Sequence, residues 1–123
     1  MSSIIAIFIG GGLGSLARYG MSAFSKSMFK TEFPLGTLLA NVFACLAMAM
    51  ILVYFKDKMD NNALIRPLII IGFCGGFSTF STFSFETVDL IRSGNHYYAI
   101  ANIVISLALC LGILFVLTKK QIV

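Results

Sequence analysis

The stretch GFCGGFSTFSTFSFE, residues 72–86, decides how this chain folds. Its flanks are apolar enough for a membrane-spanning helix, but its middle holds Gly75 and Gly76 side by side. Each glycine disfavours a helix by about 1 kcal/mol relative to alanine. A span broken near Gly75-Gly76 exposes backbone groups at membrane depth, which are tolerated only where they are buried in protein or line a cavity. Freed carbonyls can bind a cation, and the N-terminus of a half-helix can face an anion.

Two side-chain rows follow the glycine pair. Ser78, Ser81 and Thr82 lie at helical spacing and form one polar face. Phe77, Phe80 and Phe83 form a second row, three residues apart. Ordinary packing against lipid or core explains a phenylalanine row by itself. A second explanation is that the ring edges, which carry positive quadrupolar charge, contact a small anion.

The rest of the chain has the composition of a membrane protein. Its 123 residues are 59% hydrophobic and 11% charged, whereas soluble domains are about 25% charged. A spanning helix needs about 20 apolar residues, and four segments supply them: 4–24, 35–55, 67–90 and 97–117. We therefore expect a single all-α domain of four transmembrane helices over residues 1–123. The formal charge of +4 falls mostly between the apolar runs, which fits interfacial anchors and not a nucleic-acid surface.

The charged residues between the spans give a weak orientation signal. One side of the membrane would hold Lys56, Lys58, Arg66, Lys119 and Lys120. The other would hold Lys26, Lys30 and Arg92, with Arg18 inside or near the end of the first span. Positive charge normally marks the cytoplasmic side, and here the two sides differ little. A chain of this kind can insert in both orientations, and two opposed copies would form an antiparallel, dual-topology homodimer.

The first span contains GGGLGS, residues 10–15, and then Arg18. A nucleotide-binding loop would need a preceding strand and a downstream acid, and neither is present. The small residues, Gly10 and Gly14 above all, are instead typical of helices that approach closely in lipid. Arg18 has two open explanations: its side chain snorkels to the interface, or it attracts anions to an entrance.

Asn41 in the second span is either interhelical glue, worth about 0.6 kcal/mol on average, or part of a polar path. Its amide offers two donors, which suit an anion.

Asn102 and Ser106 form a modest polar stripe on the fourth span, and Glu86 and Asp89 lie near the end of the third. The cysteines, Cys45, Cys74 and Cys110, share no metal-like spacing and are interpreted as small packing residues with free thiols.

Residues 72–86 closely resemble the signature segment of the Fluc (CrcB-type) fluoride channel family. The stretches GGGLGSLARY, residues 10–19, and GTLLAN, residues 36–41, resemble that family's other two signatures. Length and span count agree too, so the resemblance covers essentially the whole chain. It implies an antiparallel homodimer in a prokaryotic plasma membrane. Such a dimer would have two fluoride pores and a central, structural sodium ion.

The resemblance also implies roles for individual residues. Phe80 and Phe83 match the pore-lining phenylalanines, and Asn41 matches the pore-lining asparagine of the second span. Further pore positions are matched by Ser81, Thr82, Glu86 and, with a weaker motif, Ser106. Gly75 and Ser78 match the positions whose backbone carbonyls hold sodium. The family commonly has threonine at the Ser78 position, a change that a carbonyl ligand tolerates.

Two other functions compete with passive fluoride export. A dual-topology small multidrug exporter has a similar length and span count, but it would want a carboxylate deep in a span. Glu86 and Asp89 lie near one end, and the chain has no tryptophan to cradle a flat cation. A non-conducting assembly subunit would explain the glycines but not the clustered hydroxyls. An enzyme is not expected, since no nucleophile–base pair or metal-ligand set is visible.

Overall fold

The computed structural model describes residues 2–119, and within them four helices are long and apolar enough to cross a membrane. Span 1 is Ser3–Met28, span 2 is Leu35–Tyr54, span 3 is Arg66–Arg92 and span 4 is His96–Leu117. A short helix, Lys56–Asn61, lies between spans 2 and 3. The predicted all-helical, four-span architecture is confirmed, and span 1 extends beyond its predicted end. Lys120, used in the orientation argument, lies outside the described residues.

Local sequence explains several helix ends. Span 1 begins after Ser2, whose hydroxyl accepts a hydrogen bond from the Ile5 N–H at 3.3 Å. Span 3 ends at a left-handed glycine, Gly94, with φ of 87°. The Asn95 N–H then donates back to the Leu90 carbonyl at 2.8 Å, which closes a Schellman turn. This turn reverses the chain into span 4.

Span 3 is not one continuous α-helix. Its first part, Arg66–Cys74, is π-helical and runs into an α-helical turn, Gly75–Phe77. The chain then becomes extended at Ser78, with φ of −80° and ψ of 158°. A second half-helix begins at Ser81 and ends at Arg92. The predicted break therefore exists, but it lies at Ser78–Phe80, and the glycine pair itself is helical.

The glycines serve close packing between spans 1 and 3. A Cβ atom on Gly10 would overlap the Leu68 carbonyl oxygen, and one on Gly14 would overlap that of Phe73. On the opposite helix, a Cβ on Gly76 would lie only 2.5 Å from the Gly11 carbonyl oxygen. The backbones thus meet directly, as small residues allow in lipid. This confirms the packing role predicted for Gly10 and Gly14 and explains why Gly76 stays in the helix.

The remaining contacts complete the bundle. Span 1 packs on span 2, span 2 packs on span 4, and Ser81–Arg92 packs on span 4. Phe33, between spans 1 and 2, meets Tyr98 of span 4 edge to face at a centroid distance of 5.7 Å. The first and third connections therefore lie at the same end of the bundle, as an up-and-down order of spans requires.

Candidate functional site

One side chain of span 2 hydrogen-bonds to the backbone at the break in span 3. The Thr79 N–H donates to Asn41 Oδ1 at 2.7 Å, and Asn41 Nδ2 donates to the Thr79 carbonyl at 3.2 Å. An unpaired backbone group at membrane depth costs several kcal/mol. The Asn41 amide removes this cost at both polar groups of Thr79. Asn41 is therefore a structural partner of the break, and its second amide hydrogen stays available to other acceptors.

Thr79 also starts the second half-helix. Its hydroxyl accepts a hydrogen bond from the Thr82 N–H at 3.2 Å, as a capping side chain does. Ser78 faces back, and its hydroxyl donates to the Cys74 carbonyl at 2.9 Å. Sequence reasoning did not single out Thr79. Its signal is its position, since a hydroxyl three residues before Thr82 suits the start of a helix.

These contacts redirect the donors that would otherwise pair with two carbonyls. In an unbroken helix the Thr79 N–H would bond to the Gly75 carbonyl, and the Thr82 N–H to that of Ser78. Here those donors go to Asn41 and to the Thr79 hydroxyl. Gly75 lies on the exposed surface of the single chain. The break thus removes the helical hydrogen-bond donors of the two carbonyls predicted to bind sodium.

Arg18 binds the carbonyl between them. Its Nε donates to the Gly76 carbonyl at 3.1 Å, and its side chain is half-buried. A positive charge at the C-terminal end of a helical segment is favourable, because the last carbonyls carry partial negative charge. This contact ties spans 1 and 3 together beside the break. A role for Arg18 in attracting anions remains a prediction.

A cavity of about 220 Å³ opens beside the break. We call it the phenylalanine cavity; it is lined by Asn41, Cys45, Ser78, Thr79, Phe80, Phe83, Ser106, Leu107 and Cys110. The rings of Phe80 and Phe83 lie 5.8 Å apart between centroids, at an angle of 38°. Phe80 is 76% exposed in the single chain, whereas Phe83 is 9% exposed. The structure thus brings together four predicted pore residues: Asn41, Phe80, Phe83 and Ser106.

A second cavity, of about 320 Å³, lies at the end of the bundle near the first and third connections. We call it the charged cavity, because Lys26, Glu32, Glu86 and Asp89 are among its lining residues. Thr82 and Glu86, two further predicted pore residues, line this cavity and not the first. Within the part of the chain described, two buried side-chain oxygens have no hydrogen-bond partner, Ser25 Oγ and Glu86 Oε1, and both residues line this cavity. Such atoms suit contact with water or an ion.

One face of span 2 joins the two cavities. Thr37 lines the charged cavity, and Asn41 and Cys45 line the phenylalanine cavity. The three residues are four apart and therefore follow one helix face. Opposite them, Thr82 and Phe83 are adjacent in sequence and line different cavities. The two cavities thus follow one seam between span 2 and the second half of span 3.

A buried hydrogen-bond chain fixes the second half-helix to span 4. Asn102 donates to the Thr87 hydroxyl at 2.9 Å, and that hydroxyl donates to the Phe83 carbonyl at 2.8 Å. Ser106 donates to Asn102 Oδ1 at 3.3 Å. Thr87 was missed in the sequence, although it follows Phe83 by one helical turn. Through this chain, span 4 positions the backbone that carries Phe83.

Ser81 stands apart from both cavities. It is exposed in the single chain, and its hydroxyl lies 3.4 Å from that of Thr79. The polar row read from the sequence is therefore divided: Ser78 lines one cavity, Thr82 lines the other, and Ser81 lies at the surface. A role for Ser81 in ion passage remains a prediction.

Comparison with known proteins gives a consistent result. Residues 5–118 match the family model described as "CrcB-like protein, Camphor Resistance (CrcB)". A protein of Coxiella burnetii (strain CbuK_Q154) named "Fluoride-specific ion channel FluC" is 39% identical over 111 residues, covering 89% of this chain and 90% of that protein. Proteins of the same name occur in Serratia proteamaculans (strain 568), 38% identical over 108 residues, and in Dehalococcoides mccartyi (strain CBDB1), 31% identical over 116 residues. These two alignments cover 88% and 94% of this chain, and 84% and 89% of the relatives.

Proposed function

Because this multi-pass membrane chain belongs to the CrcB-like protein family, we propose that it is a passive, fluoride-selective ion channel in a prokaryotic plasma membrane. The observation that carries this proposal is the phenylalanine cavity beside the broken span. There the rings of Phe80 and Phe83 adjoin the amide of Asn41 and the hydroxyl of Ser106. The relatives' names supply the identity of the ion.

The chemistry of the seam suits a small, strongly hydrated anion. Such an ion must exchange lost water for several close, weakly positive groups, and each must release it easily. Amide and hydroxyl hydrogens and aromatic ring edges meet this requirement. Along the seam, Asn41, Phe80 and Phe83 would supply such groups at the phenylalanine cavity, and the Thr82 hydroxyl would do so at the charged cavity. Ser106 and Glu86 are proposed to line the path without supplying such a hydrogen, since the Ser106 hydroxyl donates to Asn102 and a carboxylate only accepts.

The test is ion efflux from liposomes that contain the purified protein. Fluoride efflux should greatly exceed both chloride efflux and the leak of protein-free liposomes. Equal rates for the two halides would contradict fluoride selectivity, and no efflux of either would contradict channel function. The multidrug exporter, the alternative weighed from the sequence, predicts transport of organic cations, which the names of the relatives do not support.

We propose that two copies assemble in antiparallel orientation with two pores between them. In support, the single chain leaves polar groups exposed within its spans, at Ser15, Gly75 and Ser81. Phe80 lines the phenylalanine cavity and is nevertheless 76% exposed. A second copy would cover such surfaces, which are costly to leave facing lipid. Crosslinking between copies tagged to report orientation tests the arrangement, and finding every copy in one orientation would contradict it.

We propose further that a structural sodium ion binds the Gly75 and Ser78 carbonyls where two third spans meet. The residues fit such an ion, because both carbonyls have lost their helical donors and Arg18 engages only the Gly76 carbonyl. Sodium would supply the positive charge that these oxygens face. Since its ligands are backbone atoms, a folded Ser78→Ala variant should retain the ion. Crystals grown with sodium that show no density at these carbonyls would reject the site.

A further inference from the structure

Two of the three cysteines face the phenylalanine cavity. Cys45 follows Asn41 by four residues on span 2, and Cys110 follows Ser106 by four residues on span 4. All four side chains line the cavity, so the thiols form its next level, one helical turn beyond the amide and the hydroxyl. Both thiols are free and half-buried, and they are neighbours of each other, while Cys45 also lies near Cys74. The free thiols expected from the sequence are confirmed, whereas the position of two of them at a cavity was not predicted.

We propose that Cys45 and Cys110 form a binding site for a soft, two-coordinate metal ion, of which Hg²⁺ is the test case. Thiolates are soft ligands that select soft metals. Among the described residues there is no group of three or more cysteine, histidine or acidic side chains placed to hold a metal. A tetrahedral zinc site is thereby disfavoured, since zinc takes four ligands. Two neighbouring thiols at one cavity suit linear coordination.

Charge balance favours a divalent ion at this depth. Each thiol releases one proton, two sulfur–mercury bonds form, and the two protons leave through the cavity to water. No oxidant or reductant is needed. The complex of Hg²⁺ with two thiolates is neutral, and a neutral group avoids the high cost of burying net charge in an apolar environment. A metal held there would block the seam between span 2 and the second half of span 3.

Cys74 provides a matched control. It is fully buried and near Cys45, but it is not among the residues that line the phenylalanine cavity. We therefore expect Cys74→Ala to bind mercury as the unmodified protein does. Cys45→Ser and Cys110→Ser should each lose the second sulfur ligand and hold the metal as a single-thiol adduct, from which an excess of a small monothiol removes it.

The first measurement is the mercury retained per chain after treatment with HgCl₂ and washing with an excess of a small monothiol. The unmodified protein and Cys74→Ala should retain mercury, whereas Cys45→Ser and Cys110→Ser should not. Retention by either serine variant, or its loss in folded Cys74→Ala, would overturn the site. Maleimide labelling of the unmodified protein, read by peptide mass, needs no substitution. Mercury should protect Cys45 and Cys110 together, and protection of neither would also overturn the proposal.

The second measurement is fluoride efflux, and this part rests on the proposed function. Mercury should reduce efflux through the unmodified protein and through Cys74→Ala to the leak of protein-free liposomes. After the same monothiol wash, efflux through Cys45→Ser and Cys110→Ser should return to the rate that each variant shows without mercury. Unimpeded efflux through protein that retains mercury would overturn the blocking role. If the untreated protein conducts no fluoride, the channel proposal fails, whereas mercury retention still decides the metal site.

Discussion

At the scale of single residues, the role of Asn41 was only partly predicted from the sequence. An asparagine in an apolar span predicted either glue between helices or part of a polar path. The structure shows it pairing with both backbone groups of Thr79 while it lines a cavity. Its partner lies 38 residues away, and no local pattern links the two positions. The type of residue was therefore predictable, but its partner was not.

Replacing Asn41 should destabilise the fold. Asn41→Ala leaves the Thr79 N–H and carbonyl unpaired, and a buried unpaired group costs about 1–3 kcal/mol. Asn41→Asp keeps the acceptor for the Thr79 N–H but loses the donor and adds a charge. We expect a lower unfolding midpoint in detergent for both variants. Fluoride efflux through both variants should also fall. Asn95→Ala, which removes a half-exposed amide that donates to Glu32, serves as the control. An unfolding midpoint for Asn41→Ala equal to that of the control would contradict a stabilising role for the pairing of Asn41 with Thr79.

Substitutions of the two phenylalanines distinguish a packing role from contact with the ion. Isoleucine keeps much of the apolar bulk but has no aromatic edge. Phe80 is 76% exposed in the single chain, so Phe80→Ile should change the stability of the chain little and still lower fluoride efflux sharply. Phe83→Ile should lower efflux too, with some loss of packing because Phe83 is buried. Phe85→Ile is the control, since Phe85 is 70% exposed and lines neither cavity. Near-normal efflux through folded Phe80→Ile and Phe83→Ile variants would refute the role of the rings.

At the scale of helices, the glycine pair in span 3 led to a predicted break that lies a few residues before the observed one. Low helix propensity is a local property, and it is overridden where a close tertiary contact holds the glycine in a helix. Gly76 packs against Gly11 of span 1, so the helix continues through it. The chain opens at Ser78–Phe80 because Asn41 and the Thr79 hydroxyl supply substitute partners there. The four spans were predictable because composition and length alone specify them.

The contact between spans 1 and 3 allows a sharp comparison. Alanine at Gly14 would overlap the Phe73 carbonyl and approach the Phe77 amide. Overpacking of this kind costs about 1–3 kcal/mol. Alanine at Gly12 meets nothing within 4 Å, and it should stabilise the helix by up to about 1 kcal/mol through propensity. We expect Gly14→Ala to lower the unfolding midpoint in detergent and Gly12→Ala to hold or raise it. The reverse order would contradict the close approach.

At the scale of the whole molecule, the proposed dimer needs both orientations of the chain. Two lysines added on one side should bias insertion toward one orientation. Asn61 and Ala63 are exposed between spans 2 and 3, and Ser27 and Ser93 are exposed at the other end. Asn61→Lys with Ala63→Lys, and Ser27→Lys with Ser93→Lys, should each abolish fluoride efflux when expressed alone. Co-expression of the two double variants should restore it.

Full activity of either lysine variant by itself, with its orientation shown to be uniform, would contradict the antiparallel assembly. Loss of activity in the co-expressed pair would do so as well, provided that both chains reach the membrane. The orientation of each variant is read by the accessibility of a tag at its C-terminus. Sequence alone suggested this design because the charges between the spans are nearly balanced.

The pairing of Asn41 with Thr79 also fixes an order of events during synthesis. Span 2 is made before span 3, so Asn41 reaches the bilayer before Thr79 does. Until the two meet, an open backbone at Ser78–Phe80 has no substitute partners in the hydrocarbon layer. We therefore expect the newly inserted third span to be helical throughout and to open only when it docks against a second span already in place. The membrane would then never meet the broken helix alone.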